Sequence, residues 1–323
     1  MTVAFAGGLS ICPVLNGMWQ VAGGHGRIDP ARAVAAMRAY HDAGFTTWDL
    51  ADHYGPAEDL IGAFRRELGD RAGEIQAFTK WVPPPGPMTR AVVEAAIDVS
   101  RRRMGTDRLD LLQFHWWDYA DNRYLDALRH LADLREAGKI RHLALTNFDT
   151  ERLSVITEAG IRVVSNQVQY SLVDRRPAAR MAEFCRAHDI ALLTYGTLLG
   201  GFLSDAYLGR DANLGTVSKQ KYRQMIDAWG GWPLFQDLLA ALKRIADKHG
   251  ASVATVGARM ILDRPAVAGA IVGARLGIAE HIAENSRILD LALDTEDTAS
   301  LGPVLARSSD LMRVIGDCGD EYR

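Results

Sequence analysis

The 323-residue sequence lacks the features that mark several large classes of protein. Its three cysteines, Cys12, Cys185 and Cys318, are too few and too scattered for a disulfide framework or a zinc site, and they agree with a reducing, cytoplasmic location. No segment reaches the roughly 18 apolar residues that a membrane span needs. A formal net charge of −3 shows none of the basic excess of nucleic-acid-binding domains. We therefore expect a soluble protein with no membrane and no nucleic acid as partner.

Three sequence motifs are also missing. The first residues, MTVAFAGGLSICPVLNG, have neither a basic region nor a sustained apolar run, so we expect no signal peptide. The nine histidines form no H-E-x-x-H pattern and no cluster with cysteine, which argues against a metal site. The glycines at 7–8 and 23–26 do not open a helix in a G-x-G-x-x-G pattern, which argues against a doubly wound dinucleotide-binding sheet.

The sequence instead alternates short β-rich runs with amphipathic stretches of helical period. The predicted strands cover residues 15–20, 45–50, 75–80, 109–115, 140–146, 163–170, 190–196 and 268–273. The predicted helices cover residues 29–43, 57–69, 89–104, 122–137, 150–159, 175–188, 233–249 and 277–289. Eight strand–helix units predict an α/β protein with one domain over residues 1–323, a (β/α)8 TIM barrel, with a helical tail from about residue 294.

Four residues with acid–base chemistry fall at or just past the ends of predicted strands: Asp49, Tyr54, Lys80 and His115. The carboxyl ends of the strands of such a barrel meet on one face, which is where these barrels carry their chemistry. A tyrosine titrates near 10, so it is a poor acid unless a cation stabilises its phenolate. Lys80 can be that cation, with Asp49 holding it and His115 orienting a substrate oxygen. This set is typical of carbonyl reduction.

Each of the four residues also has an ordinary structural interpretation when it is taken alone. The tyrosine can be a loop residue, the lysine a solvated or ion-paired residue, and the histidine a hydrogen-bonded core residue. Their convergence on one face of one barrel argues against coincidence. A barrel glycosidase using Asp49 and Asp52 is a weaker alternative, because strand alternation directs one of them outward and no glutamate completes the pair.

The chain resembles the aldo-keto reductases over nearly its whole length. The segments WDLADHYG, FTK and LLQFH match the family's tetrad at Asp49, Tyr54, Lys80 and His115, and ALTNF, SNQVQYSL, LLTYG and IVGARLGIAEHIAEN match further family motifs. The resemblance implies an enzyme that interconverts a carbonyl and an alcohol without a metal, with NADPH as cofactor and Tyr54 as general acid–base. The partner is then a small-molecule carbonyl substrate, and the sequence makes no prediction of the oligomeric state.

The resemblance also implies a set of cofactor-binding residues. Thr146, Asn147 and Gln167 are expected at the nicotinamide carboxamide, Tyr195 beneath the nicotinamide ring, and Met18 and Trp19 near the ribose. The remaining expected contacts are Asp49, Gly196, Gly200, Gly201, Arg275, His281, Glu284 and Asn285. The long segment 197–232, which contains Gly200 and Gly201, is expected to fold over the cofactor pyrophosphate.

Two positions depart from the family pattern at the expected adenosine phosphate site. Leu276 stands where a Ser or Thr hydroxyl is usual, and His281 stands where Arg or Gln is usual. Leucine offers no hydrogen-bond donor, and a neutral histidine binds phosphate less well than the fixed fork of an arginine. Arg275 favours NADPH, and NADH remains an alternative.

The expected substrate pocket is aromatic, with Trp19, Trp81, Trp116 and Trp117 as its wall. Such a wall favours flat or apolar carbonyl compounds, although tryptophan also stacks on sugars. A non-catalytic NADP-binding regulatory subunit on the same barrel, like the cytoplasmic β-subunits of potassium channels, is the alternative function. The fold cannot separate the two, because function depends on the site.

Overall fold

The computed structural model describes residues 2–26 and 28–322, so Met1 and Arg323, the ends of the predicted domain, lie outside the described residues. A two-stranded antiparallel hairpin comes first, formed by β1 (Val3–Ala6) and β2 (Leu9–Ile11). Eight parallel strands then close a barrel in the order β10-β3-β4-β5-β6-β7-β8-β9. They are β3 (Val14–Gly17), β4 (Thr47–Asp49), β5 (Gln76–Trp81), β6 (Leu109–His115), β7 (Ile140–Thr146), β8 (Ser165–Gln169), β9 (Ala191–Tyr195) and β10 (Val267–Gly273). The predicted (β/α)8 barrel is confirmed.

Helices surround the barrel and connect its strands. They are α1 (Pro30–Asp42), α2 (Ala57–Leu68), α3 (Arg90–Arg103), α4 (Tyr124–Glu136), α5 (Thr150–Glu158), α6 (Met181–Ala187), α7 (Val217–Trp229), α8 (Gly231–Lys248), α9 (Val253–Leu262) and α10 (Ile282–Asp290), followed by the short α11 (Thr295–Ala299), α12 (Gly302–Leu305) and α13 (Leu311–Val314). The first helix begins as its sequence indicates, with Pro30 in the first turn and the Asp29 carboxylate accepting from the Arg32 amide at 2.9 Å. Within the described residues, no helix is long and apolar enough to cross a membrane.

Apolar side chains fill both the inside of the barrel and the layer between strands and helices. Inside, Phe78, Leu111 and Leu193 pack against one another and against Leu9 and Ile11 of the hairpin. Because the hairpin leads directly into the start of β3, it covers the amino-terminal end of the barrel. The carboxyl ends of the strands stay open to solvent, and this is where the predicted functional residues lie.

The structure differs from the sequence-based expectation in several elements. The hairpin was not expected, and the first barrel strand ends at Gly17 because Trp19–Ala22 forms a turn of 3-10 helix. The region between β9 and β10 contains three helices, of which the sequence predicts only α8. Eight of the ten residues of α9 are buried, so it lacks the wide exposed polar face of a surface helix.

Candidate active site

A cavity of about 600 Å³ opens at the carboxyl ends of the barrel strands. Every barrel strand contributes to its lining, with Gly17, Asp49, Lys80, His115, Thr146, Gln167, Tyr195 and Gly273 taken in strand order from β3 to β10. Further lining comes from the turn after β4, which carries Tyr54, and from α7. The barrel therefore brings the four predicted acid–base residues together in one cavity.

Lys80 and Asp49 form a buried ion pair at the base of this cavity. The Lys80 ammonium donates to the Asp49 carboxylate at 2.8 Å and 2.7 Å and to the Leu50 carbonyl at 3.0 Å, and both side chains are at most 5% exposed. Burial lowers the pKa of Lys80 from its ordinary value, and the Asp49 charge opposes that effect. The ammonium lies 5.1 Å from the centroid of the Tyr54 ring, where it can stabilise a phenolate.

Two buried amides complete the surroundings of the Asp49 carboxylate. Gln113 and Gln167 donate from their side-chain nitrogens to Asp49 Oδ1 at 2.9 Å and 2.6 Å, and the Gln167 nitrogen also donates to Gln113 Oε1 at 2.7 Å. Sequence reasoning missed Gln113. Strand alternation could have found it, because it precedes His115 by two residues and therefore faces the same side of β6.

Aromatic and imidazole rings border the cavity around Tyr54. His53 packs edge-on against Tyr54 with ring centroids 4.9 Å apart, and the ring centroids of His115 and Trp117 are 4.2 Å apart. Trp19 also lines the cavity. Trp117 is 44% exposed, so part of its ring faces solvent. This border presents mainly flat, weakly polar surfaces to whatever enters.

The structure corrects three predictions by placing Trp81, Trp116 and the Met18 side chain in the hydrophobic core. Trp81 packs on Phe114 with ring centroids 5.6 Å apart, and the indole of Trp116 donates to the backbone carbonyl of Asp118 at 2.6 Å. Trp81 and Trp116 each follow a residue that points into the cavity. Because successive side chains of a strand point to opposite faces, these tryptophans turn outward toward the helices.

The residues predicted to contact the nicotinamide lie beside the ion pair and hydrogen-bond to one another. The Tyr195 hydroxyl donates to Asn147 Oδ1 at 2.9 Å, and the backbone amide of Asn147 donates to the backbone carbonyl of Gln167 at 2.9 Å. Asn147 has a φ of 58°, a left-handed conformation that asparagine tolerates better than most residues. Thr146 is the neighbour of both His115 and Gln167 in the sheet. All four predicted residues line the cavity.

The segment after β9 crosses the cavity and ends in α7. Tyr222 of α7 packs so closely on Gly196 and Gly200 that an added Cβ would lie 2.6 Å from the tyrosine hydroxyl at Gly196 and 2.9 Å from a ring carbon at Gly200. Both glycines also have positive φ, which explains their presence. Ser218 contacts the His25 imidazole at 2.5 Å, which joins α7 to the loop after β3. Sequence reasoning missed His25, because its partner lies 193 residues away.

The far end of the cavity contains the four residues predicted for the adenosine half of a cofactor: Arg275, His281, Glu284 and Asn285. Ser252 donates to Glu284 at 2.7 Å, and His281 lies 3.7 Å from the same carboxylate. The Glu284 carboxylate raises the pKa of His281, and His281 in turn lowers the pKa of Glu284. Leu276 is fully buried and directs no polar group into the cavity.

The carboxyl-terminal segment is anchored beside the cavity by a buried arginine. Arg176 donates to Asp174 at 2.8 Å, to Glu321 at 2.9 Å and to the Asp317 carbonyl at 2.9 Å. Glu321 Oε1 in turn lies 3.4 Å from the Tyr195 hydroxyl. The chain end thus packs against a residue that lines the cavity. Within residues 2–26 and 28–322, no group of three or more His, Cys, Asp or Glu side chains is arranged to hold a metal ion.

The closed parallel barrel defines a (β/α)8-barrel protein. Its cavity lies at the carboxyl ends of the strands, where such barrels carry their functional sites. A family model described as "Aldo/keto reductase family" matches residues 13–305. The chain therefore belongs to the aldo/keto reductase family, and the resemblance predicted from its motifs is confirmed.

Relatives and solved structures agree with this membership. The chain is similar to the aldo-keto reductase YhdN of Bacillus subtilis, with 27% identity over 90% of this chain and 88% of the relative. It is 30% identical to flagellar radial spoke protein 5 of Chlamydomonas reinhardtii over 66% of this chain, and it spans about half (49%) of that relative's length. A crystal structure of a Klebsiella pneumoniae aldo/keto reductase in complex with NADP and acetate superposes with a TM-score of 0.73, at 25% identity, over 94% of this chain and 95% of that chain.

The buried ion pair generates a stability prediction. Replacing Lys80 by Met leaves the Asp49 carboxylate buried without its cation, and such a loss typically costs about 3–5 kcal/mol of the free energy of unfolding. Denaturant unfolding of Lys80→Met beside the wild type measures this.

The matched control for this prediction is the double variant Lys80→Met/Asp49→Asn, which removes both charges. We expect it to recover most of the lost stability, since neither buried charge is then left alone. A double variant as unstable as Lys80→Met would show that packing, and not charge, dominates at this pair.

Proposed function

We propose that this protein, a nicotinamide-dependent oxidoreductase by its family, transfers a hydride between NADPH and an aldehyde or ketone, with Tyr54 as the general acid–base. The observation that carries the proposal is the buried Lys80–Asp49 pair beside Tyr54, in a cavity that also contains His115. The related Klebsiella pneumoniae enzyme has been crystallised with NADP and with NADPH, which supports the choice of cofactor.

The residues around the cavity fit a dinucleotide of this kind. The hydroxyl of Thr146 and the side-chain oxygen of Gln20 are buried without a hydrogen-bond partner among the described residues, and both residues line the cavity. Unpaired buried polar atoms are costly, so a polar ligand at this place would relieve them. Lys219, Lys221 and Arg275 supply positive charge along the same cavity, which suits phosphate groups. When bound, NADPH supplies the hydride.

The side chains of the protein would handle the proton. Tyr54 would donate its phenolic proton to the carbonyl oxygen as negative charge develops there. Lys80, 5.1 Å from the centroid of the ring, would stabilise the resulting phenolate, and Asp49 would hold the ammonium in place. Positioned acid–base catalysis of this type typically contributes about 10²–10⁴ in rate.

His115 would orient the substrate. It ends β6 and faces the cavity beside Trp117, so an imidazole N–H can donate to the carbonyl oxygen that Tyr54 protonates. A donor placed where charge develops stabilises the transition state more than the ground state. Trp19 and Trp117 would then contact the remainder of a flat or apolar carbonyl compound.

The alternative, a non-catalytic NADP-binding subunit on the same barrel, is not favoured. Binding a nucleotide does not require a lysine and an aspartate to be buried next to a tyrosine, and burying such charges carries a desolvation cost. A site that served binding alone would gain nothing from that cost.

The first functional prediction concerns Tyr54. Tyr54→Phe should bind NADPH as the wild type does, because only the hydroxyl is removed, and should lose about 10²–10⁴ in turnover with aldehydes. Fluorescence quenching gives the dissociation constant, and absorbance of NADPH gives the rate. Tyr124→Phe, which alters a buried tyrosine of α4 outside the cavity, should keep full turnover. Wild-type rates in Tyr54→Phe would contradict the proposed mechanism.

The second functional prediction concerns pH and cofactor choice. The neighbouring Glu284 carboxylate raises the pKa of His281 from its ordinary value of 6.5, so the imidazolium persists to higher pH than in a free histidine. A charged His281 attracts the 2′-phosphate of NADPH, and this attraction is lost as pH rises through that raised pKa. The ratio of NADPH to NADH affinity should therefore fall as the pH rises above 6.5.

Calorimetric titration of both nucleotides across this pH range measures the ratio. His281→Asn should give a ratio that hardly changes with pH, since asparagine does not titrate. Equal pH dependence in the wild type and in His281→Asn would show that another group sets the preference.

A further inference from the structure

We propose that Gln113 is a positioning residue that couples the Asp49–Lys80 pair to the amide of Gln167. The inference deepens the proposed function and rests on it, because it assigns a role within the same site to a residue that touches neither substrate nor cofactor. Gln113 is fully buried on β6, and its Cα pairs with that of Lys80 on the neighbouring strand. It is therefore held rigidly beneath the acid–base residues.

Gln113 uses both ends of its side-chain amide within the site. Its nitrogen donates to Asp49 Oδ1 at 2.9 Å, and its oxygen accepts from the Gln167 nitrogen at 2.7 Å. A carboxamide is suited to this task because it combines donor and acceptor in one group. Three residues from strands β4, β6 and β8 are thereby joined in one buried network.

The first consequence concerns the orientation of Gln167. Its side-chain nitrogen has two hydrogens, and these point to Asp49 Oδ1 at 2.6 Å and to Gln113 Oε1 at 2.7 Å. With both hydrogens used inside the protein, the amide oxygen is the group that Gln167 offers to the cavity. Gln167 would then accept from the NH₂ of a nicotinamide carboxamide. Without the Gln113 oxygen, one of these hydrogens loses its partner and the amide is held through Asp49 alone.

The second consequence concerns the Asp49 carboxylate. Asp49 Oδ1 accepts from Lys80, Gln113 and Gln167, so two of its three donors are neutral. Neutral donors fix the orientation of a buried carboxylate without neutralising it, and its charge remains available to Lys80. Gln113 thus positions Lys80 indirectly, through the carboxylate that holds the ammonium near Tyr54.

Two substitutions separate these consequences. Gln113→Met has a similar length but neither donor nor acceptor, so we expect about tenfold weaker NADPH binding and about tenfold or greater loss of kcat. Gln113→Glu keeps an oxygen that accepts from Gln167, but it donates to Asp49 only when it is protonated. Its NADPH affinity should stay near that of the wild type at low pH, and its kcat should fall with rising pH through an ionisation that the wild type lacks.

Gln169→Met is the matched control. Gln169 is a buried glutamine of β8 that donates to Asp174 at 2.8 Å, and it does not line the cavity. This control should lose stability as Gln113→Met does while keeping wild-type kcat, NADPH affinity and pH profile. Thermal melts of all variants show whether each is folded at the temperature of the assay.

Several outcomes would overturn the assignment. It fails if Gln113→Met matches Gln169→Met in kcat and NADPH affinity, or if the pH profile of Gln113→Glu matches that of the wild type. If wild-type protein binds NADPH but reduces no carbonyl, the proposed reaction is wrong, and unchanged NADPH affinity in Gln113→Met would then separately overturn the role of Gln113. If the wild type binds no nicotinamide nucleotide, both proposals are wrong together.

Discussion

The ion pair between Lys80 and Asp49 is the interaction on which the rest of the site depends. Two opposite charges are buried at the base of the cavity, and each would be costly there without the other. The two charges are held together because β4 and β5 are neighbours in the barrel. The side-chain amides of Gln113 and Gln167 also donate hydrogen bonds to the carboxylate. The Lys80 charge lies near the Tyr54 ring, where a phenol needs a cation to act as an acid at neutral pH.

The closed barrel supplies the rigidity that this arrangement needs. Asp49 and Gln167 are 118 residues apart in sequence, yet their side chains lie 2.6 Å apart because both belong to strands whose carboxyl ends meet. The segment leading into α7 and the segment around Asp317 border the cavity, and they are held by the His25–Ser218 contact and by the buried Arg176.

Much of this site is predictable from the sequence, because the ends of strands can be found from local patterns. Those strand ends include Asp49, Lys80 and His115. Side-chain direction is also local, and applying strand alternation strictly would have turned Trp81 and Trp116 outward and brought Gln113 inward. Other features depend on distant partners. The contact between His25 and Ser218, for example, joins residues 193 positions apart, so it has no local signal.

The most direct test of the central claim is to follow the hydride. Wild-type protein is supplied with an aldehyde or ketone and with NADPH carrying deuterium at nicotinamide C4 on the transferred face, and the alcohol product is analysed by mass spectrometry and NMR. The account predicts one deuterium on the former carbonyl carbon, with the hydroxyl proton derived from solvent through Tyr54. An alcohol without deuterium on that carbon would contradict direct hydride transfer and with it the proposed role of the site.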